Sequence, residues 1–170
     1  MTSPRIRPLS EVSMADAPEV GGKAASLGEL IASGVRVPEG VVLTAAGDLS
    51  SDERAASLQQ RLPHLGPGPF AVRSSGIAED GAERSFAGMY GTVLGVDVHE
   101  LAAAVDVCLS SADTATVAGY APGGDRRMAV IVQAMVSPRA AGVVLTADPI
   151  TTDRATAVVT AVRGIGDRLV

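Results

Sequence analysis

The chain has 170 residues, of which 46% are hydrophobic, so it can bury a substantial core and does not have the composition of a disordered protein. Its formal net charge of −5 argues against nucleic acid or an anionic membrane surface as the main partner. Cys108 is the only cysteine, which excludes an intramolecular disulfide and a cysteine metal cage.

The N-terminal half predicts alternating strands and helices. Residues 1–12 contain no apolar leader, and no later run is long enough to cross a membrane, so we expect a cytoplasmic protein. The spacing of apolar residues predicts the elements, and glycine and proline residues mark where they end. They are a short strand over 6–9, a helix over 22–33 ended by Gly34, a buried strand over 41–44, and a short helix over 52–62 within a polar connector.

The C-terminal half continues the same mixture. It predicts strands over 70–74 and 92–96 and a helix over 99–110, in which Cys108 is expected to be a small buried hydrophobe. Pro138 and Gly142 lie near the turn between the apolar runs 128–136 and 141–149, so a hairpin is expected there, followed by a third run. Mixed strands and helices of this kind indicate an α/β or α+β domain.

Lys23 is the only lysine among 14 cationic residues, and it follows Gly21 and Gly22 at the start of a predicted helix. Backbone N–H groups at a helix start bind anions, and a lysine adds a point charge, so this turn could hold a phosphate. A solvated lysine beside a tight turn is the alternative. The turn is not a Walker A loop, because Ala17 and Ala24 occupy the positions that need glycine and a hydroxyl residue.

Arg73 ends an apolar strand and precedes two serines, then a stretch of acids and glycines. An arginine at a strand end can bind phosphate with two hydrogen bonds, and small residues further on could let the backbone approach an anion. Those small residues are Ser85, Gly88 and Gly91. In the alternative, Arg73 pairs with Glu79 or Asp80 and the glycines only form turns.

Gln133 interrupts the apolar run 128–136. It is either an outward-facing strand residue or a hinge residue beside an adenine, whose edge amide groups can read. His64 and His99 have no evident partners for a catalytic triad. The acidic residues do not follow metal-ligand spacing, so no metal-binding residue is assigned.

Three stretches stand out when taken together: GGKAASLGELIASGVRVPEGVVLT, AVRSSGIAEDGAERSFAGMYGTVLGV and MAVIVQAMVSPRAAGVVLTADPIT. Their order and character resemble the nucleotide-binding domain of the family that includes phosphoenolpyruvate synthase, pyruvate phosphate dikinase and rifampicin phosphotransferase. The arginine-serine-serine sequence with its following Phe-Ala-Gly is the most specific part. The resemblance implies an ATP-grasp-like α/β (α+β) fold of mixed sheets and helices, incomplete at the C-terminus.

The resemblance also implies roles for individual residues. Lys23 and Arg73 would contact the ATP phosphates and stabilise charge during transfer. The segment 85–92 would fold over them as a glycine-rich loop, with Ser85, Gly88 and Thr92 in contact. The adenine slot would be lined by Gln133 and by the backbone of Met135 and Val136.

At the level of domains, the resemblance implies a single partial ATP-binding domain with approximate lobes 1–120 and 121–170. Mg²⁺ would assist, with its ligands on a later segment that has no counterpart here. The phosphate would pass to a phosphohistidine domain and then to an acceptor-binding domain, on the same parent or on a separate chain, so the chain alone is not expected to be active. The alternatives are a degenerate nucleotide- or partner-binding module without catalysis, and a plain α/β domain.

Overall fold

The chain forms two compact units, residues 1–135 and 136–170. The computed structural model describes residues 6–76, 91–111 and 128–166. The predicted lobe boundary at 120/121 lies outside these residues.

The first unit is built on a five-stranded sheet with strand order β1-β2-β5-β3-β4, and every neighbouring pair is antiparallel. Its strands are β1 (Ile6–Pro8), β2 (Gly40–Leu43), β3 (Phe70–Gly76), β4 (Thr92–Val96) and β5 (Met128–Ala134). Its α-helices are α1 (Ala17–Ala32), α2 (Ser51–Leu65) and α3 (Leu101–Ser111). Short 3-10 turns occupy Leu9–Glu11, Met14–Asp16, Ala46–Asp48 and Val98–Glu100.

The two faces of this sheet are covered by different helices. On one face, Phe70 and Val72 of β3 pack in a core cluster with residues of α2 and α3. On the other, Ile131 of β5 packs in a second cluster with residues of α1. Successive strand residues point to opposite faces, so the apolar run of β5 supplies both clusters in turn. This second face, the α1 face, carries the candidate site.

The second unit contains the antiparallel pair β6 (Ala140–Leu145) and β7 (Val158–Arg163). The hairpin predicted between runs 128–136 and 141–149 is therefore wrong. The first run forms β5, which pairs with β2 and β3. A strand that is buried on both faces and lies between two neighbours reads as a continuous apolar run, and that pattern does not reveal the pairing partner.

The predicted α/β (α+β) class is confirmed, and the observed strands and helices overlap all the predicted ones. Gly34 has a φ of +80° just after α1, which is the left-handed conformation that ends helices. Cys108 is fully buried, as expected for a small hydrophobe. Within the described ranges, no helix is long and apolar enough to cross a membrane.

An ion pair fixes the approach to α1. The Arg7 guanidinium donates to the Asp16 carboxylate at 2.7 Å, and the other carboxylate oxygen accepts from the backbone N–H and the hydroxyl of Ser13, each at 2.9 Å. The hydrogen bond from Arg7, with the Ser13 bonds, lowers the pKa of Asp16 to about 2. The carboxylate therefore stabilises the folded chain in its charged form.

This ion pair predicts a pH-dependent contribution to stability. Because the folded pKa of Asp16 lies below its ordinary value near 4, the contribution is present above about pH 4 and is lost as the pH falls toward 2. A double-mutant cycle with Arg7→Gln and Asp16→Asn should give a coupling of up to about 1 kcal/mol at pH 7, the range of exposed pairs. Urea unfolding measures it. A coupling that is unchanged at pH 2 would contradict the assignment.

Candidate functional site

A break in α1 places a helix start against the end of β3. Gly21 has φ +77° and ψ 161°, so a new helical segment begins immediately after it. A Cβ built on Gly21 would lie 2.4 Å from the Ser75 carbonyl oxygen. The Ala24 N–H donates to the Ser75 hydroxyl at 3.2 Å. Ser75 is fully buried, so the turn is fixed to the sheet by close packing and a buried hydrogen bond.

Lys23 and Arg73 both belong to the α1 face of the sheet. Lys23 is half-buried and lies in the first turn of the helical segment that starts after Gly21. Arg73 is also half-buried, and it lies two residues before Ser75 on β3, a spacing of about 7 Å along the same face. The structure therefore brings the two predicted phosphate ligands to one region, although they are 50 residues apart in the sequence.

Arg73 is paired in register with Thr92 of β4 and with Ile131 of β5. Thr92 is exposed, and directly paired residues of antiparallel strands share a face, so its side chain belongs to the α1 face as well. Within the described part of the chain, the Arg73 guanidinium forms no ion pair with a carboxylate. Ser85 and Gly88, the other predicted loop contacts, and Glu79 and Asp80, the alternative partners of Arg73, lie outside the described residues.

The strand end beside Arg73 is held by serines. Ser74 donates to the Gly91 carbonyl through both its N–H and its hydroxyl, each at 3.1 Å. The Gly91 N–H donates to the Ser111 hydroxyl of α3 at 2.8 Å. These bonds fix the position from which β4 starts, and with it Thr92.

Gln133 lies at the other end of the sheet. It pairs with Gly40 of β2. Ser75 pairs with Ala129, which lies four residues before Gln133 on β5, so Gln133 and Ala129 are about 13 Å apart along the strand. It is 7% exposed and is not the outward-facing residue of the alternative interpretation. Its Nε2 donates to the Pro38 carbonyl at 2.9 Å, and no described donor bonds to its Oε1. A separation of this size is compatible with adenine and phosphates belonging to one nucleotide.

The remaining adenine-slot residues have different surroundings. The Met135 N–H donates to the Pro69 carbonyl at 3.0 Å, so of its two backbone polar groups the carbonyl is the one it can offer to adenine. Val136 is 60% exposed at the start of the second unit.

One group of metal-ligand residue types occurs among the described residues. Asp97, His99 and Glu100 are exposed, and their ligand atoms lie within 4.8 Å of one another. Thr92 begins β4, whereas these three residues come after the strand has ended at Val96. Asp97 and Glu100 already form a capping box on the next helical turn. The group is a helix cap rather than part of the Arg73 region.

The sequence placed Gly21 in the candidate phosphate turn but did not reveal Ser75 or its contact with Gly21. The strand was predicted to end at Ser74, whereas β3 continues to Gly76. The local signal was the pair of serines after Arg73, but the partner of Ser75 lies 51 residues away. Only the folded chain reveals that partner.

Comparison with known proteins identifies the class of domain. Residues 49–170 match the family described as pyruvate phosphate dikinase, AMP/ATP-binding domain. The match covers most of the chain, and the chain belongs to this family. It includes Arg73, Thr92 and Gln133, whereas Lys23 precedes it.

Individual relatives extend the similarity to the N-terminal part. The chain is 37% identical to a rifampicin phosphotransferase of a Streptomyces species, and the alignment covers 95% of the chain and 24% of that relative. It is 30% identical to a phosphoenolpyruvate synthase of Aeropyrum pernix, covering 95% of the chain and 26% of the relative. It is 33% identical to the prodigiosin synthesizing transferase PigC of Serratia marcescens, covering 89% and 21%.

The chain thus spans about a quarter of the length of the curated relatives it matches. The alignment with the Streptomyces protein runs over 212 residues, which exceeds the 170 residues of this chain. The relative therefore carries residues within the aligned region that this chain lacks.

Proposed function

We propose that this chain is the ATP-binding portion of a dikinase-type phosphotransferase, similar to phosphoenolpyruvate synthase, and that Lys23 and Arg73 hold the ATP phosphates. The observation that carries the proposal is the turn at Gly21, which is fixed to Ser75 two residues from Arg73. The turn supplies a helix start, and the two cations supply charge to an otherwise acidic chain. Family membership supports the same ligand.

The two cations have different tasks in this proposal. The Lys23 ammonium acts as a compact point charge beside one phosphate, whereas the planar Arg73 guanidinium donates two parallel hydrogen bonds to phosphate oxygens. Both would offset the negative charge that spreads over the transferring phosphate group in the transition state. Thr92, opposite Arg73, would add a hydroxyl donor, and the loop that contains Ser85 and Gly88 would cover the phosphates.

Adenine would bind beside Gln133. Its Nε2 is occupied by Pro38, so its Oε1 would accept a hydrogen bond from the amino group of adenine. The Met135 carbonyl and the backbone of Val136 would complete the slot. Mg²⁺ would neutralise charge on the phosphates, with carboxylate ligands outside the described residues, since the Asp97 group lies at the opposite end of β4.

The names of the relatives support a proposal for the acceptor and the partners. One is named a rifampicin phosphotransferase and another a phosphoenolpyruvate synthase, so the acceptor of the parent activity would be pyruvate, an antibiotic or a related small molecule. A phosphohistidine domain and an acceptor-binding domain, on the same parent or on a separate chain, would carry the phosphate onward. Transfer among such partners would take place in the cytoplasm.

Calorimetric titration with ATP and Mg²⁺ tests the proposal. We expect one saturable site, and we expect Arg73→Gln to weaken ATP binding about tenfold or more, the usual effect of losing a charge-assisted bidentate contact. Arg139→Gln is the matched control, because it removes the same charge from an exposed position in the second unit. Equal losses in both variants, or no binding at millimolar ATP, would contradict the proposal.

A second candidate function is nucleotide binding without catalysis. It is favoured by the residues that the Streptomyces relative has and this chain lacks within the aligned region. An assay for Mg²⁺-dependent formation of AMP from ATP separates the two. Formation of AMP by the purified chain above about 0.1 s⁻¹ would support catalysis, given that enzymes usually turn over at about 1 s⁻¹ or faster.

A further inference from the structure

A cavity of about 700 Å³ opens in the first unit beside the edge strand β1. It lies between the C-terminal ends of α1 and α2 and the start of β2. Neither Lys23, Arg73 nor Gln133 lines it, so it is separate from the residues assigned to ATP. Its volume falls within the range of about 300 to 1,000 Å³ that is typical of small-molecule sites.

The local backbone explains why this space is not filled. Gly34 ends α1, and the Val35 N–H donates back to the Leu30 carbonyl at 3.0 Å, so the chain turns away from the helix before it enters β2. Gly40 lies on the cavity wall, and a Cβ there would come within 2.8 Å of the Leu9 side chain. A side chain at position 40 would therefore require the Leu9 side chain to move.

The walls of the cavity are apolar. Ile31 comes from the end of α1 and Val35 from the segment after it. Leu9 comes from the 3-10 turn that follows β1, Val41 from β2, and Leu65 from the end of α2. Leu9, Val41 and Leu65 are buried core residues, so these walls are supported by packing from behind. Such a surface suits an apolar body that excludes water.

Two of the three charged residues that line the cavity are arginines. Arg36, Arg61 and His64 line it, and Glu39 is the one carboxylate among the lining residues. Within the described ranges, neither arginine forms an ion pair with a carboxylate. Two arginines against one glutamate are notable in a chain that has 19 acidic and 14 cationic residues. The arrangement selects for a ligand with an anionic group.

We propose that this cavity is a second ligand site, which binds a small amphipathic anion: an apolar aromatic or aliphatic body that bears one acidic group. The apolar body would contact Ile31, Val35 and Leu65, and the acidic group would lie between Arg36 and Arg61. The cavity shares no residue with those assigned to ATP, although Gly40 on its wall pairs with Gln133, so competition with ATP is part of the test.

Fluorescence titration with 8-anilinonaphthalene-1-sulfonate tests the proposal, because this probe has an aromatic body and a single sulfonate. N-phenyl-1-naphthylamine, which lacks the sulfonate, is the matched neutral probe. We expect the double variant Arg36→Gln/Arg61→Gln to weaken binding of the sulfonate probe at least ~10-fold and to leave the neutral probe within about twofold. Arg139→Gln, which removes a positive charge elsewhere, should change neither.

A filling variant tests the location. Ser10 is exposed and lines the cavity, so Ser10→Trp should block both probes while the thermal unfolding curve stays close to that of the wild type. Saturating ATP with Mg²⁺ should displace neither probe. Sulfonate binding that is unchanged in the double arginine variant would overturn the proposal, and so would displacement of the probe by ATP. If Ser10→Trp does not fold, the arginine variants and the ATP competition still decide the matter.

Discussion

Gly21→Ala is expected to destabilise the chain by about 3 kcal/mol or more. The backbone at Gly21 has φ +77° and ψ 161°, a region that only glycine adopts readily and that costs other residues about 1 to 3 kcal/mol. The added Cβ would also lie 2.4 Å from the Ser75 carbonyl oxygen, a backbone atom that cannot rotate away. Urea unfolding of both proteins measures the difference.

Gly34→Ala is the matched control for this substitution. Gly34 also has a positive φ, of +80°, but a Cβ there would meet no atom within 4 Å. Its cost should therefore be limited to the conformational term, about 1 kcal/mol. A second test replaces Ser75 by alanine in the Gly21→Ala background; no rescue is expected, because the clash involves the backbone of Ser75. If Gly21→Ala costs no more than Gly34→Ala, the close approach to β3 is refuted.

Lys23→Ala is expected to weaken ATP binding by about 1.5 to 3 kcal/mol, the usual value of a hydrogen bond to a charged group. Any effect of the substitution on folding is removed by comparing each protein with its own melting temperature in the absence of nucleotide. The measurement is the thermal stabilisation of each protein by millimolar ATP, where a tenfold loss of affinity remains visible through mass action.

Two comparisons show whether the loss arises at the outer phosphates. Lys23→Arg should restore binding only in part, because a planar guanidinium cannot take the place of a compact ammonium beside a phosphate. AMP lacks the outer phosphates, so it should lose much less affinity than ATP when Lys23 is replaced. Equal and small losses for the two nucleotides would make Lys23 an ordinary surface lysine.

The strands and helices of this fold could be predicted because their signals are local. Each signal lies within a short stretch of sequence: the spacing of apolar residues, the helix-ending glycine at position 34 and the apolar run of β5. Strand pairing is not a local property. Two apolar runs close in sequence suggested a hairpin, whereas β5 pairs with β2 and β3, which lie far before it in the chain. The sequence of a strand that is buried on both faces does not indicate which strands it pairs with.

In the candidate site, too, the residues could be predicted from the sequence but their contacts could not. Lys23 and Arg73 could be assigned from residue type and family resemblance, because charge and motif are visible in the sequence. The contact between Gly21 and Ser75 could not, since it depends on a missing Cβ on one element and a carbonyl on another. The amide of Gln133 is a similar case: its bond to the Pro38 carbonyl joins residues 95 positions apart.

The burial of Cys108 gives this chain a chemical reporter of its own. The thiol is fully buried, lies 3.5 Å from the carbonyl oxygens of both Val72 and Gly91, and has its pKa raised to about 11 by desolvation. A buried, protonated thiol is inert to alkylating reagents until the surrounding structure opens. Because the chain has a single cysteine, its alkylation rate under native conditions measures how often α3 separates from β3 and β4 at Cys108, without any engineered label.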